Sequence, residues 1–427
     1  MNIQDLHKLF LKCNSVSIDT RKIELNSFFV AIKGERFDAN TFAKEALEKG
    51  ASYVVIDNKD YYIDERTILV NNSLNTLQEL AKYHRSYLKL PIIALTGSNG
   101  KTTTKELINV VLSKKYNTKA TIGNLNNHIG VPLTLLSFSK DTEIGIVEMG
   151  ANHQKEIEFL CTIAQPDYCY ITNFGKAHLE GFGGIEGVIK GKSEMYTYCK
   201  NLDKTVFINK DDSIQEEKTK EIKRITFSQI DSKVEVFINK VIANPLVMVQ
   251  FDTTEIHSNL IGLYNANNIN AAITIGNYFG VSNELIKHAI ESYIPENNRS
   301  QLLIKGTNEI ILDAYNANPS SMKVALENFL QLDKTNKLLI IGDMFELGYE
   351  SIEEHKAITL MLSKENNVKC IFVGNDFYAN KTKKENFEFF KTFEELSEYL
   401  IKNNIDNKMI LIKGSRGMAL ERTLEFL

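Results

Sequence analysis

The chain has 427 residues, 43% of them hydrophobic and 24% charged, with a formal net charge of only −4. That length is enough for about two to four domains with cores of their own, and so even a charge balance argues against nucleic acid or an anionic membrane as partner. Five cysteines without metal-ligand spacing, Asp5 and His7 near the start, and no apolar run near the ~20 residues of a membrane span predict a soluble cytoplasmic protein with reduced thiols and no signal peptide.

Residues 1–88 alternate short strands and helices. Apolar, β-branched and aromatic runs predict strands at 16–18, 28–32 and 53–56, and apolar residues at helical spacing predict helices over 41–48 and 74–87. Pro91 marks a first domain boundary. Strands then follow at 92–95, 144–148 and 168–172, with helices at 103–112 and 155–163. Such alternation builds a parallel sheet with helices on both faces. Between 205 and 259 short strands, including 234–238 and 246–251, predict a small β-rich elaboration, followed by helices at 265–279 and 283–293. The polar stretch Pro295-Glu296-Asn297-Asn298 predicts a second boundary. Beyond it, strands at 310–312, 338–341, 371–373 and 409–412 alternate with a helix opening at Asn318-Pro319 and others over 352–362 and 393–401. This is a Rossmann-like domain without the dinucleotide fingerprint. The expected fold is α/β in three domains, 1–88, 89–297 and 298–427.

The strongest chemical signal lies in residues 92–106. An apolar strand runs into Gly97-Ser98-Asn99-Gly100, and Lys101-Thr102-Thr103 opens a helix. Such a turn aims successive backbone N–H groups at one point, to which the helix dipole and Lys101 add positive potential. It is a phosphate cradle, with Thr102 placed to ligate Mg²⁺. Leu95 stands where the full Walker pattern has its first glycine, so the loop is a shortened variant, unlike that of common P-loop kinases and GTPases. The predicted ligand is ATP. Glu148 ends a strand in the crevice where open α/β sheets bind ligands, which suits a Mg²⁺ ligand, and His178 lies past the next strand on the same crevice. Lys190 and Lys192 follow on a helix, where lysines by residue type alone are solvated. Lys413 and Arg416 follow a later strand and suit an anion, while Asp313, Tyr315 and Asn316 end another facing the same cleft.

Together these stretches resemble the Mur ligase family, the ATP-dependent amino-acid and peptide ligases of bacterial cell-wall synthesis. The resemblance runs from Ser17 to Glu421 and includes the phosphate loop and Gly123-Asn124-Leu125-Asn126-Asn127-His128-Ile129-Gly130-Val131-Pro132. Glu148-Met149-Gly150-Ala151, Ala177-His178-Leu179-Glu180 and Asp313-Ala314-Tyr315-Asn316-Ala317-Asn318-Pro319 belong to it as well. Gly342-Asp343-Met344-Phe345-Glu346-Leu347-Gly348 and Lys413-Gly414-Ser415-Arg416 complete the set.

The resemblance implies an N-terminal uridine-nucleotide domain carrying Asp19, Thr20, Arg21 and Lys33. It places Asn268, Arg299 and Asp313 with the loop residues at ATP, and Asn127, Tyr315, Asn316, Asn318, Lys413 and Arg416 toward the other substrates. Tyr264 stands where relatives often carry histidine. Lys192 corresponds to a lysine that the family carbamylates with CO₂. Two Mg²⁺ ions are implied, one held by Thr102 and Glu148, the other by His178 and modified Lys192. Within the family, the Asn316–Pro319 and Asp343–Gly348 stretches favour the monomeric member that joins D-alanyl-D-alanine to UDP-N-acetylmuramoyl-tripeptide through an acyl phosphate. Hinges near Pro91 and Pro295 would let the three domains close. A sister ligase adding one amino acid, a folylpolyglutamate synthase-like ligase and a non-catalytic nucleotide switch are the rival readings.

Overall fold

Three sheets divide the chain, seen in a computed structural model that describes residues 1–296 and 298–427. Asn297, inside the predicted second boundary, lies outside the described residues. The N-terminal sheet holds Ser15–Ser17, Ser27–Val30, Ala51–Ile56 and Thr67–Leu69, all parallel. Helix Ser73–Leu88 is capped by Asn72, whose side chain accepts from Asn75 N at 2.8 Å. It buries Leu77, Leu80, Ala81 and His84 along one face, then ends at Lys89 in a left-handed turn just before Pro91. Helix Ile3–Phe10, packed against it, has no counterpart in the elements expected from sequence.

The central sheet runs Thr254–Ile261, Leu246–Phe251, Val236–Ala243, Arg224–Ser228, Thr205–Asn209, Tyr168–Ile171, Ile92–Thr96, Ile144–Glu148, Thr118–Ala120. From Val236–Ala243 onward every pair is parallel, and only Val236–Ala243, Leu246–Phe251 and Thr254–Ile261 pair antiparallel. The elaboration expected over 205–259 is thus smaller: Thr205–Asn209 and Arg224–Ser228 extend the main sheet. Ile92–Thr96 is buried at every position and lies between two strands that both come later in the chain. A crevice therefore opens at its carboxyl end.

The third sheet runs Gln301–Lys305, Asn308–Asp313, Met409–Lys413, Lys337–Gly342, Lys369–Val373, Phe387–Phe390, parallel except for the first strand, which the sequence pattern did not signal. Helix Pro319–Gln331 begins in a capping box between Asn318 and Ser321, with proline in its first turn. Among the described residues no helix is long and apolar enough to cross a membrane, and all five cysteines are free.

Candidate active site

A cleft of about 780 Å³ opens where the central and third domains meet, and the phosphate loop forms its floor. Helix Lys101–Leu112 starts two residues before its expected position because Gly100, at φ 77, serves as its N-cap. The loop is braced too closely for side chains at its two glycines. A Cβ on Gly97, at φ 146, would lie 1.9 Å from Thr172 Oγ1, and one on Gly100 would lie 2.5 Å from Asn268 Oδ1. Ser98 Oγ donates to Gly175 O at 2.7 Å, Asn99 N to Asn173 Oδ1 at 3.0 Å and Thr172 Oγ1 to Asn99 O at 2.6 Å. Lys101 curls back to donate to Gly97 O at 2.7 Å. Burial pushes its pKa down; the negative Glu148 opposes that shift and Arg299 reinforces it. Thr102 and Thr103 line the cleft on the helix's first turn.

Glu148 is 1% exposed. Its Oε1 accepts from Asn126 Nδ2 at 2.8 Å, and its Oε2 is buried without a partner among the described residues. A buried carboxylate oxygen left bare is costly unless a cation meets it, so Thr102 and Glu148 fit a hard divalent ion. No three His, Cys, Asp or Glu side chains gather around a common point among the described residues. Such an ion would therefore depend on phosphate oxygens and water for the rest of its shell, as Mg²⁺ does at nucleotides. Asn127, expected to touch substrate, lines the cleft but spends its side-chain oxygen on Ile129 N and Gly130 N, at the start of helix Gly130–Leu136. Asn126, one position earlier, is the residue that holds Glu148; an asparagine within a polar loop carries no local signal for that role.

His178 lines the cleft at φ 52, with Nδ1 against the Glu346 carboxylate of the third domain. Lys192 does not line it. Its ammonium lies 5.3 Å from the Phe182 ring centroid, 1% exposed, and has no hydrogen-bond or ion-pair partner among the described residues. Burial pushes its pKa well below the usual lysine value, and the nearby Lys101 charge adds to that. That direction favours the neutral amine, the form that reacts with CO₂.

From the third domain, Asn318 Nδ2 donates to Asn99 Oδ1 at 2.7 Å while its Oδ1 caps Ser321 N. The Arg299 guanidinium stacks 3.6 Å from the Tyr315 ring centroid, and its Nε is buried without a partner among the described residues, a donor left for an anion. Asp313 accepts from Ser300 N at 3.1 Å and from Lys413 Nζ at 2.6 Å. Lys413, expected to face an anion, has its charge matched inside the protein. Arg416 is exposed, and its backbone N–H donates to Asn316 Oδ1 at 3.4 Å. Asn268 lines the cleft between Thr104 and Asn265, and Tyr264 bonds Ser300 at 2.7 Å. Asp19, Thr20, Arg21 and Lys33 do not line this cleft.

Family models match the chain over most of its length: a Mur ligase family catalytic domain over 12–85, a Mur ligase middle domain over 95–276 and a Mur ligase glutamate ligase domain over 298–416. The chain is 33% identical to the UDP-N-acetylmuramoyl-tripeptide–D-alanyl-D-alanine ligase of Bacillus subtilis (strain 168), over 96% of this chain and 92% of that one. It belongs to the Mur ligase family. The protein of the same name from Escherichia coli (strain K12) is 30% identical to this Mur ligase, over 97% and 93% of the two chains. Among solved structures, a MurF of Acinetobacter baumannii superposes with a TM-score of 0.87 at 30% identity, covering 99% of this chain and 97% of that one. A MurF ligase of Thermotoga maritima in complex with ADP gives 0.84 at 26% identity, covering 98% and 97%.

Proposed function

We propose that this Mur ligase joins D-alanyl-D-alanine to UDP-N-acetylmuramoyl-tripeptide at the expense of ATP, as a cytoplasmic monomer in peptidoglycan synthesis. The observation that carries the reading is full-length similarity to ligases of that name, combined with a phosphate loop facing a buried, half-satisfied carboxylate. The terminal carboxylate of the tripeptide attacks the γ-phosphorus, and the bond to the ADP oxygen breaks. The resulting acyl phosphate is attacked by the dipeptide amine, and the tetrahedral intermediate expels inorganic phosphate. Two anions must meet in the first step, so Lys101, Arg299 and the N–H groups of the loop supply compensating charge.

Thr102 and Glu148 would hold one Mg²⁺; His178 and Lys192, once carbamylated, would hold a second. Bound there, the ions would neutralise charge on the transferring phosphoryl group. Lys192 reaches that role as a neutral amine: its nitrogen bonds to the carbon of CO₂, one C=O electron pair moves to oxygen, and a proton leaves. Asn268 and Asp313 belong to the ATP side of the cleft in this reading, and Tyr315, Asn316 and Asn318 to the incoming-peptide side. Asp19, Thr20, Arg21 and Lys33 belong to the uridine-nucleotide side.

Phosphate release measured with UDP-N-acetylmuramoyl-tripeptide and a panel of amines tests the reading. Release should require both the tripeptide nucleotide and D-alanyl-D-alanine. Equal release with a single amino acid would favour a sister ligase. ATP binding with no acceptor-dependent release would favour a nucleotide switch.

A further inference from the structure

Arg299 lies on the stretch that joins the central and third domains, and the backbone on either side of it is left-handed, at φ 57 for Asn298 and 49 for Ser300. Non-glycine residues keep that conformation where their surroundings over-determine it. The third domain supplies part of the hold. Tyr315 N donates to Asn298 O at 3.1 Å, Ser300 N donates to Asp313 Oδ1 at 3.1 Å, and the guanidinium stacks on Tyr315. The central domain reaches the same stretch through Tyr264, whose hydroxyl shares a hydrogen bond of 2.7 Å with the Oγ of buried Ser300.

Tyr264 sits in the turn 262–265, and that turn is built to aim it. Gly262, at φ 88, leaves the ring its place, because a Cβ there would lie 2.4 Å from a Tyr264 ring carbon. Leu263 N donates to Asn328 Oδ1 of helix Pro319–Gln331 at 3.4 Å. On the other side, Asn265 accepts from Asn268 Nδ2 at 2.8 Å, and Asn268 Oδ1 accepts from Thr104 Oγ1 of the phosphate-loop helix at 3.0 Å. Consecutive residues of one turn thus reach the phosphate-loop helix and the neighbour of Arg299. Burial and the negative Asp313 push the Tyr264 pKa up, so the phenol keeps its proton.

We propose that Tyr264 is a positioning residue for Arg299: through Ser300 it ties the joining stretch to the turn that also braces the phosphate loop, and so sets the guanidinium in register with that loop. The proposal rests on the reading of Arg299 as compensating charge for phosphoryl transfer. The Arg299 Nε, buried without a partner among the described residues, is the donor this placement would deliver. Charge aimed at a transition state acts from one place, so a loosened arginine costs rate while nucleotide binding elsewhere in the cleft stays intact.

The test uses the full chain. Tyr264→Phe keeps the ring and removes the hydroxyl. Its kcat should fall roughly 3- to 10-fold, the worth of one neutral hydrogen bond, with KM values and calorimetric ADP affinity unchanged. Ser300→Ala should lose as much, and Tyr264→Phe/Ser300→Ala no more than either alone. In an Arg299→Ala background, Tyr264→Phe should cost nothing further. Losses of Tyr264→Phe and Arg299→Ala that multiply would overturn the proposal. So would ADP affinity that falls with kcat in Tyr264→Phe, which would make the tyrosine a wall of the nucleotide pocket. If Arg299→Ala is slow while Tyr264→Phe turns over like wild type, only the role of Tyr264 falls. If Arg299→Ala itself is unimpaired, the charge assigned to Arg299 falls, and this proposal with it.

Discussion

Behind the central sheet, the N-terminal domain is seated on an apolar seam with a polar lock; in front, third-domain residues such as Met344 and Leu347 belong to the same continuous core as Leu179 and Phe182, and hydrogen bonds and ion pairs between loops add to it. The rear seam buries Leu77, Leu80 and Ala81 completely, in one core with Leu135, Leu136 and Leu160. Arg85 adds donations to Ala164 O, Gln165 O and Asp167 Oδ2, the last at 2.7 Å, and Asp167 also takes Ile92 N and Lys204. Helix Ser73–Leu88 is thereby fixed to the base of the phosphate-loop strand. The front contacts, Asn99 with Asn318, Lys176 with Ser320 and Glu354, and His178 with Glu346, are groups that water can satisfy once the domains part. Separating the rear seam would expose apolar surface at roughly 25 cal/mol per Å². An exchangeable hydrogen bond is worth only about 0.5–1.5 kcal/mol net. The polar contacts of the two faces can therefore be tested separately. A hinge near Pro91 is not carried by this geometry, because Arg85 and Asp167 clamp the chain on both sides of it.

The variants that test this contrast should separate chemistry in front from stability behind. The largest effect is expected for Lys101→Ala, which removes the charge at the phosphate cradle and should lower kcat by at least about 10²-fold with thermal stability retained. Stopped-flow phosphate release checks it, and a wild-type rate would remove the assignment. Lys192→Ala should be similarly inactive but partly restored by short carboxylic acids that refill the carbamate position. Wild-type activity of Lys192→Ala in CO₂-free buffer would end the carbamate reading.

Behind the sheet, Asp167→Ala leaves Arg85, mostly buried, without its ion-pair partner. It should cost about 1–3 kcal/mol in urea unfolding while kcat changes little. A variant as stable as wild type would mean that the seam needs no polar lock. A graded effect is expected from pH. His7 is 3% exposed, and its Nε2 lies 2.9 Å from His84 Nδ1. Burial and the His84 charge push its pKa from 6.5 down to about 4. Its folded pKa is depressed, so its contribution is complete above pH 6.5 and is lost as pH falls from 6.5 toward about 4. The loss is roughly 1.4 kcal/mol per pH unit within that window. Urea midpoints against pH should show the slope, and His7→Gln should flatten it.

The front of the molecule was the legible side. Strand, glycine turn and helix start are local patterns, so the cradle at 97–103, Glu148 and His178 could be placed before any fold was known. Their partners were harder to find. Asn126 and Asn127 are adjacent and identical in type, and only the fold decides that the first holds Glu148 and the second caps a helix. Lys413 reads as a lone cation, and only the fold shows that Asp313 pairs with it at the edge of the cleft. Asp167 and Arg85 carry no pattern, being lone charges whose meaning comes from the approach of two domains. Thr205–Asn209 and Arg224–Ser228 read as a separate β elaboration because short strands carry the same pattern whichever sheet they join. Asp19-Thr20-Arg21 was read through resemblance alone. In the fold its groups close on themselves: Arg21 donates to the Asp19 carboxylate at 2.8 and 2.9 Å and holds its pKa at about 2.

The central claim is that a peptide carboxylate is phosphorylated before the amine arrives. With ¹⁸O placed in the terminal carboxylate of UDP-N-acetylmuramoyl-tripeptide, mass spectrometry of the released inorganic phosphate reads this step directly. The account predicts one labelled oxygen in each phosphate released with D-alanyl-D-alanine. Phosphate free of label, formed as fast as the peptide product, would contradict it.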